Sequence, residues 1–218
     1  AIFVGGLDAT WEGEEMPGGI NVNGFYNGDR TKIELPQIQQ QAIRSMVKTG
    51  TPVILVLMAG SSIALNGLEK ELDAILMAWY PGQRGGDAVA SVLFGDYNPG
   101  GKLPVTFYSS TSELPDFKDY NMRSGKGFTY RYYNGVALYP FGHGLSYSDF
   151  EYSKLKINKR SIDETETFKV SFMLKNSGEF DGDEVVQVYI KDLESDRHMP
   201  IKQLRGFKRV QVNKSNKK

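Results

Sequence analysis

The chain has 218 residues, 40% of them apolar and 24% charged, which is ordinary for a globular protein of one large or two smaller domains. Lys+Arg and Asp+Glu both number 26, so the formal net charge is zero and a surface built to coat nucleic acid or an anionic membrane is not expected. Cysteine is absent, which removes disulfide frameworks, thiolate nucleophiles and zinc-finger sites together.

In chain order, Ala1 to Val4 (AIFV) reads as a strand. It runs into Gly5–Gly6 and a polar, glycine-rich excursion, LDATWEGEEMPGGINVNGFYNGDR, with the signature of neither helix nor strand. Irregular loops of this length are uncommon in compact domains and are often functional. This one carries an acidic cluster at Glu12, Glu14 and Glu15. Ile38, Ala42 and Met46, with Ile43 and Val47, recur at helical spacing within Asp29 to Lys48. Pro36 suits the first turn of that helix, and Gly50 stands just past its end.

Val53 to Gly60 (VILVLMAG) is a continuous apolar run, the pattern of a central strand covered on both faces. Strand, loop, helix and strand form a crossover unit of an α/β domain. Glu69 to Tyr80 reads as a short helix followed by a buried strand that ends at Pro81–Gly82. Asp87 to Phe94 reads as a helix with Asp87 as N-cap. The turn GQRGG before it matches neither the dinucleotide fingerprint nor the Lys-Ser/Thr phosphate loop.

From Gly95 to Tyr147 glycine, proline and tyrosine dominate, and only Leu103 to Tyr108 reads as a strand. The aromatic density predicts a wrapping segment packed on the α/β domain. Beyond Phe150, four segments alternate with period two: Tyr152–Ile157, Phe168–Lys175, Glu184–Lys191 and Leu204–Val212. Short alternating strands separated by turn clusters predict a β-sandwich. The division expected is 1–149 for the α/β domain with its wrap and 150–218 for the sandwich. About seven strands make a complete sandwich, so the chain is expected to be cut within a domain at both ends. The basic stretch GFKRVQVNKSNKK at the end reads as a solvated tail. No apolar run approaches the roughly 20 residues of a membrane span.

Several long motifs carry a resemblance. WYPGQRGGDAVASVLFGDYNPGGKLPVTF (79–107) and LYPFGHGLSYSDFEYS (138–153) resemble the C-terminal half of glycoside hydrolase family 3, which includes β-glucosidases and β-xylosidases. NSGEFDGDEVVQVYI (176–190) resembles that family's fibronectin type III-like domain, and GDRTKIELP (28–36) the segment after its acid/base loop. The resemblance implies an incomplete α/β sandwich domain followed by an incomplete fibronectin type III-like domain. It also implies an N-terminal (β/α)-barrel, absent here, that carries an aspartate nucleophile.

What the resemblance implies for function is a part of a retaining, exo-acting enzyme. Such an enzyme would remove terminal β-D-glucosyl or β-D-xylosyl residues from a β-linked oligosaccharide or aryl glycoside, with neither metal nor organic cofactor. A periplasmic or secreted location in a bacterium is expected. Retaining glycosidases use two carboxyl groups about 5 Å apart, one as nucleophile and one as general acid/base. The second must be protonated at working pH, which needs burial or a neighbouring negative charge.

Counting from Gly6 along the family pattern puts the acid/base at Glu12. Glu14 is the alternative, because loop length varies among members, and Glu15 follows it. Trp11 is a candidate to stack on a sugar, or else pins the loop backbone. Arg30, with Asp29, holds the loop end or touches substrate. His143 is expected to be structural and His198 exposed; Asp181, Asp183 and Glu184 read as a hairpin turn. The alternative from another class is a non-catalytic carbohydrate-binding or adhesive module. Neither nucleic acid nor a membrane span is expected as a partner.

Overall fold

The computed structural model describes residues 1–12, 19, 21–163, 165–195 and 197–214. The chain divides into two compact units: Ala1–Ala90 with Leu103–His143 and Lys191–Gln203, and Ser91–Lys102 with Gly144–Ile190 and Leu204–Lys218.

The first unit is built on a parallel sheet. Strand β1 (Ile2–Gly6) is followed by a small hairpin, β2 (Phe25–Tyr26) and β3 (Asp29–Arg30), then by helix α1 (Gln37–Val47), β4 (Ile54–Met58) and β5 (Ala74–Met77). Sheet order is β1-β4-β5, with Ile2 opposite Ile54 and Gly6 opposite Met58 on one side of β4, and Ile54 opposite Ala74 on the other. The central strand is the unbroken apolar run, and Leu55, Val56 and Leu57 are buried. They join Leu35, Ile43, Ala59, Ile63, Leu65 and Leu68 in the core.

Helix α1 turns only part of the predicted apolar face inward: Ile43 is buried and Val47 packs against the core, but Ala42 is exposed. Its buried residues are Gln40 and Ile43, while Ile38 is 73% exposed. Gln40 tolerates burial because its amide is paired: it donates to the Leu35 carbonyl at 2.6 Å and accepts from Asn66 at 3.2 Å. Gln39 bonds the Gly6 backbone in both directions, at 2.7 and 2.8 Å, and so staples the helix to the end of β1. Gly6 has φ +123°, and a Cβ there would lie 1.9 Å from the Met58 carbonyl oxygen, so only glycine fits. Pro36 is the N-cap position, with the helix beginning one residue later.

A 3₁₀ turn, Leu68–Lys70, and β5 realise the short helix and strand expected of 69–80. Helix α2 (Gly85–Leu93) starts before Asp87, which therefore stands in the first turn, paired with Arg84 at 2.8 Å, and is not the N-cap. Leu103 to Tyr108 is not a strand. Leu103 and Phe107 instead bond 139–143 at isolated points, Leu103 N to His143 O at 2.7 Å and Phe107 N to Tyr139 O at 2.9 Å. Pro104 and Pro140 lack the N–H groups that a continuous ladder would use. His143 stacks on Tyr139 with 5.1 Å between ring centres, and exposed His198 meets the Tyr132 ring edge-on. The short helix α3 (Thr129–Tyr132) completes this unit.

The second unit holds β6 (Phe150–Ile157), β7 (Val170–Asn176), β8 (Gly182–Ile190) and β9 (Gln203–Val212). β6 pairs antiparallel with β7 across a register shift between Ser153 and Lys156, and β8 pairs with β9. Asp183 and Glu184 lie inside β8 and not in a hairpin turn. Charge partners explain why they are tolerated there: Asp183 pairs with Arg209 at 2.6 Å and Glu184 with Lys102 at 3.2 Å. Asn98 binds the 144–148 segment by accepting from Ser146 and the Tyr147 N–H, each at 2.8 Å.

Candidate functional site

Three chain segments leave the same edge of the parallel sheet: the acidic loop after β1, residues 59–62 after β4, and residues 78–80 after β5. The carboxyl ends of parallel strands are where open α/β sheets place their ligands. Asp8 shapes the first segment, its side chain accepting from Thr10 N at 2.7 Å and Trp11 N at 3.2 Å. Its carbonyl accepts from Glu12 N at 3.1 Å, which closes a turn and swings the Glu12 side chain back over the sheet edge.

There Glu12 meets all three other elements. Oε1 accepts from Ser61 Oγ at 2.5 Å and from Arg30 Nη1 at 3.2 Å; Oε2 accepts from Gly60 N at 2.9 Å and from the Tyr80 hydroxyl. The Glu12 and Arg30 side chains are each only 12% exposed. Arg30 uses the same Nη1 for Ser61 Oγ and the Ser62 carbonyl, and its Nε and Nη2 are buried without a partner among the described residues.

The electrostatics follow from this packing. Burial pushes the Glu12 carboxyl up and is the largest single influence. Hydrogen bonds from Ser61, Tyr80 and Gly60, together with the Arg30 charge, outweigh it, so Glu12 titrates below its ordinary 4.5. Tyr80 is pushed up to about 12, first by burial and then by its bond to the Glu12 carboxylate and that negative charge. Both shifts keep Glu12 an acceptor and Tyr80 a donor.

Backbone strain accompanies the arrangement. Trp79 has φ +56°, a left-handed conformation for a bulky residue, worth about 1–3 kcal/mol of strain. It turns the chain sharply after β5, and the next residue is Tyr80. The Trp79 ring packs edge-on against Phe107, 6.2 Å between centres.

Glu12 and Arg30 are thus brought together, whereas Asp29 is not Arg30's ion-pair partner among the described residues. Trp11 is 38% exposed and packs edge-on against Phe25 at 5.6 Å. Glu14 and Glu15 lie outside the described residues. Ser61 and Tyr80 escape a reading of the sequence, although each follows an apolar strand directly, as the acidic loop itself does. The cleft of about 710 Å³ lined by Phe25, Lys32, Glu34, Arg44 and Thr111 does not include Glu12 or its partners. Among the described residues no group of three or more His, Asp or Glu side chains is placed to hold a metal.

Residues 1–147 match the glycosyl hydrolase family 3 C-terminal domain, and residues 184–218 match a fibronectin type III-like domain. A xylan 1,4-beta-xylosidase of Xylanibacter ruminicola is 48% identical over 97% of this chain and 24% of its own length. A periplasmic beta-glucosidase of Salmonella typhimurium is 38% identical over 87% of the chain and 26% of its own length. The crystal structure of a beta-glucosidase from Kluyveromyces marxianus in complex with glucose superposes with a TM-score of 0.78. It is 31% identical, covering 98% of this chain and 25% of that one. The chain thus spans about a quarter of the length of these relatives.

Proposed function

The chain belongs to glycosyl hydrolase family 3, and from that premise we propose that it is the acid/base-bearing part of a retaining, exo-acting β-glycosidase. The substrate is a terminal, non-reducing β-D-xylosyl or β-D-glucosyl residue on an oligosaccharide or aryl glycoside. The nucleophile comes from a barrel outside these 218 residues. The observation that carries the reading is the acidic loop anchored on the carboxyl ends of three parallel strands, in a chain whose relatives are named β-xylosidases and β-glucosidases. Identity of 48% to the xylosidase against 38% to the glucosidase favours xylosides. The Salmonella relative's description as periplasmic supports an extracytoplasmic location.

Chemistry selects between the two leading glutamates. A general acid must hold a proton at working pH and offer it to the departing oxygen. Glu12 is instead engaged by four donors, from Ser61, Arg30, Gly60 and Tyr80, which hold its carboxyl group against the strand ends. The proton donor is therefore Glu14, two residues further along the loop, which later activates the water that cleaves the glycosyl-enzyme. The barrel carries most contacts to the sugar, while Trp11 and Arg30 serve the leaving-group side and the loop's support.

The full-length protein is expected to hydrolyse nitrophenyl β-xyloside and β-glucoside with retention, read by NMR of the first anomer released. The purified 218-residue chain is expected to turn over neither. Hydrolysis by the short chain alone, or inversion by the full-length protein, would remove the proposal.

A further inference from the structure

We propose that Glu12 is a positioning residue: with Arg30, Ser61, the Gly60 N–H and Tyr80 it forms a cradle that ties the acidic loop to the ends of β4 and β5. The inference rests on the reading that this loop supplies the acid/base.

Saturation of the carboxylate is the first ground. An ionised carboxylate has about four lone-pair sites, and Glu12 fills them with two donors on Oε1 and two on Oε2. No site is left for a glycosidic oxygen or an attacking water. The donors also come from three separate stretches: the hairpin, the β4 end and the β5 end. One side chain thus fixes the loop against every element around it, which is what a preorganised catalytic loop requires.

The surroundings are shaped to this purpose. A Cβ on Gly60 would lie 2.7 Å from the Tyr80 ring and 3.1 Å from Glu12 Oε2, so glycine is what lets the N–H reach the carboxylate under the tyrosine. The left-handed Trp79 turns the chain between the end of β5 and Tyr80, which delivers its hydroxyl to Oε2. Arg30 directs Nη1 to Glu12, Ser61 and Ser62 together, so the ion pair and the β4 end are locked as one piece.

The test is pH-dependent kinetics of the full-length protein on aryl glycosides, with and without azide, for Glu12→Gln, Tyr80→Phe and Glu14→Gln. Azide can attack the anomeric carbon of the glycosyl-enzyme; a C–N bond forms as the bond to the nucleophile carboxylate breaks, and no base is needed. It therefore rescues only a variant that has lost its acid/base. Glu12→Gln is expected to lower kcat about 100-fold, the scale of a displaced catalytic group, and Tyr80→Phe about tenfold. Both should keep the alkaline limb of the pH profile and form no glycosyl azide.

Glycosyl azide from Glu12→Gln, or loss of its alkaline limb, would overturn the inference by making Glu12 the acid/base. Wild-type kcat in both variants would overturn it too. If Glu12→Gln does not fold, Tyr80→Phe, which removes one oxygen, carries the same test. Failure of the underlying reading looks different: Glu14→Gln would then keep its alkaline limb and ignore azide.

Discussion

Two nearly buried glutamates in this chain have the same kinds of partner and sit in different places. Glu12 pairs with Arg30 at 3.2 Å and accepts from Tyr80; Glu184 pairs with Lys102 at 3.2 Å and accepts from Tyr152 at 3.2 Å. Their side chains are 12% and 11% exposed, and both tyrosines are pushed up to about 12, first by burial and then by the neighbouring glutamate. Glu184, however, sits in the regular strand β8. Glu12 sits on a loop at the carboxyl ends of parallel strands, beside a left-handed tryptophan and a glycine with no room for a side chain. The difference teaches that a buried ion pair with a tyrosine is not a functional mark. Position at the strand ends, and strain around it, are what distinguish the two.

Stability does not separate them, and that is the largest effect expected. Removing one partner of a buried pair leaves the other charge uncompensated and costs about 3–5 kcal/mol. Glu12→Ala and Glu184→Ala should each lower the unfolding free energy of the full-length protein by that order in a denaturant titration. A loss below about 1 kcal/mol in either would show that pair to be solvated and break the symmetry.

Acid and alkali probe the Glu12 side more gently. The depressed carboxyl contributes stability that is present above its ordinary 4.5 and lost as pH falls through the folded value below that. Tyr80, raised from 10.0 to about 12, contributes stability present below 10.0 and lost as pH climbs toward about 12. Glu12→Gln should therefore flatten the acid limb of the stability curve, and Tyr80→Phe the alkaline limb, in urea titrations at stepped pH. An unchanged acid limb in Glu12→Gln would contradict the cradle's charge.

Much of the fold is legible in the residues. VILVLMAG can only be a strand covered on both faces, and β4 is that strand. The alternating segments after Phe150 become β6 to β9. What periodicity misses is long-range polar pairing. The apolar spacing of α1 points to Ile43 and Val47, which face the core, but also to exposed Ile38 and Ala42, and it misses Gln40, buried because Asn66 and the Leu35 carbonyl satisfy its amide. Pro104 and Pro140 interrupt a pairing that local apolar content predicts.

For the site, the acidic loop stands out by composition and length, yet its partners do not. Ser61 and Tyr80 are 49 and 68 residues from Glu12 in sequence, and only the sheet brings them together. Counting along a family pattern favours Glu12 as the acid; the four donors around it are what turn the reading toward Glu14.

One comparison bears most directly on the division of labour between these two glutamates. In the full-length protein, Glu12→Gln and Glu14→Gln should each be assayed on aryl glycosides with good and poor leaving groups. Loss of the proton donor costs roughly 10²- to 10⁴-fold where the departing oxygen needs protonation and far less where it does not. The full asymmetry is expected for Glu14→Gln, and a much smaller one for Glu12→Gln, in which the donor is displaced but still present. The reverse order, with the poor leaving group penalised more selectively in Glu12→Gln than in Glu14→Gln, would contradict this division of roles.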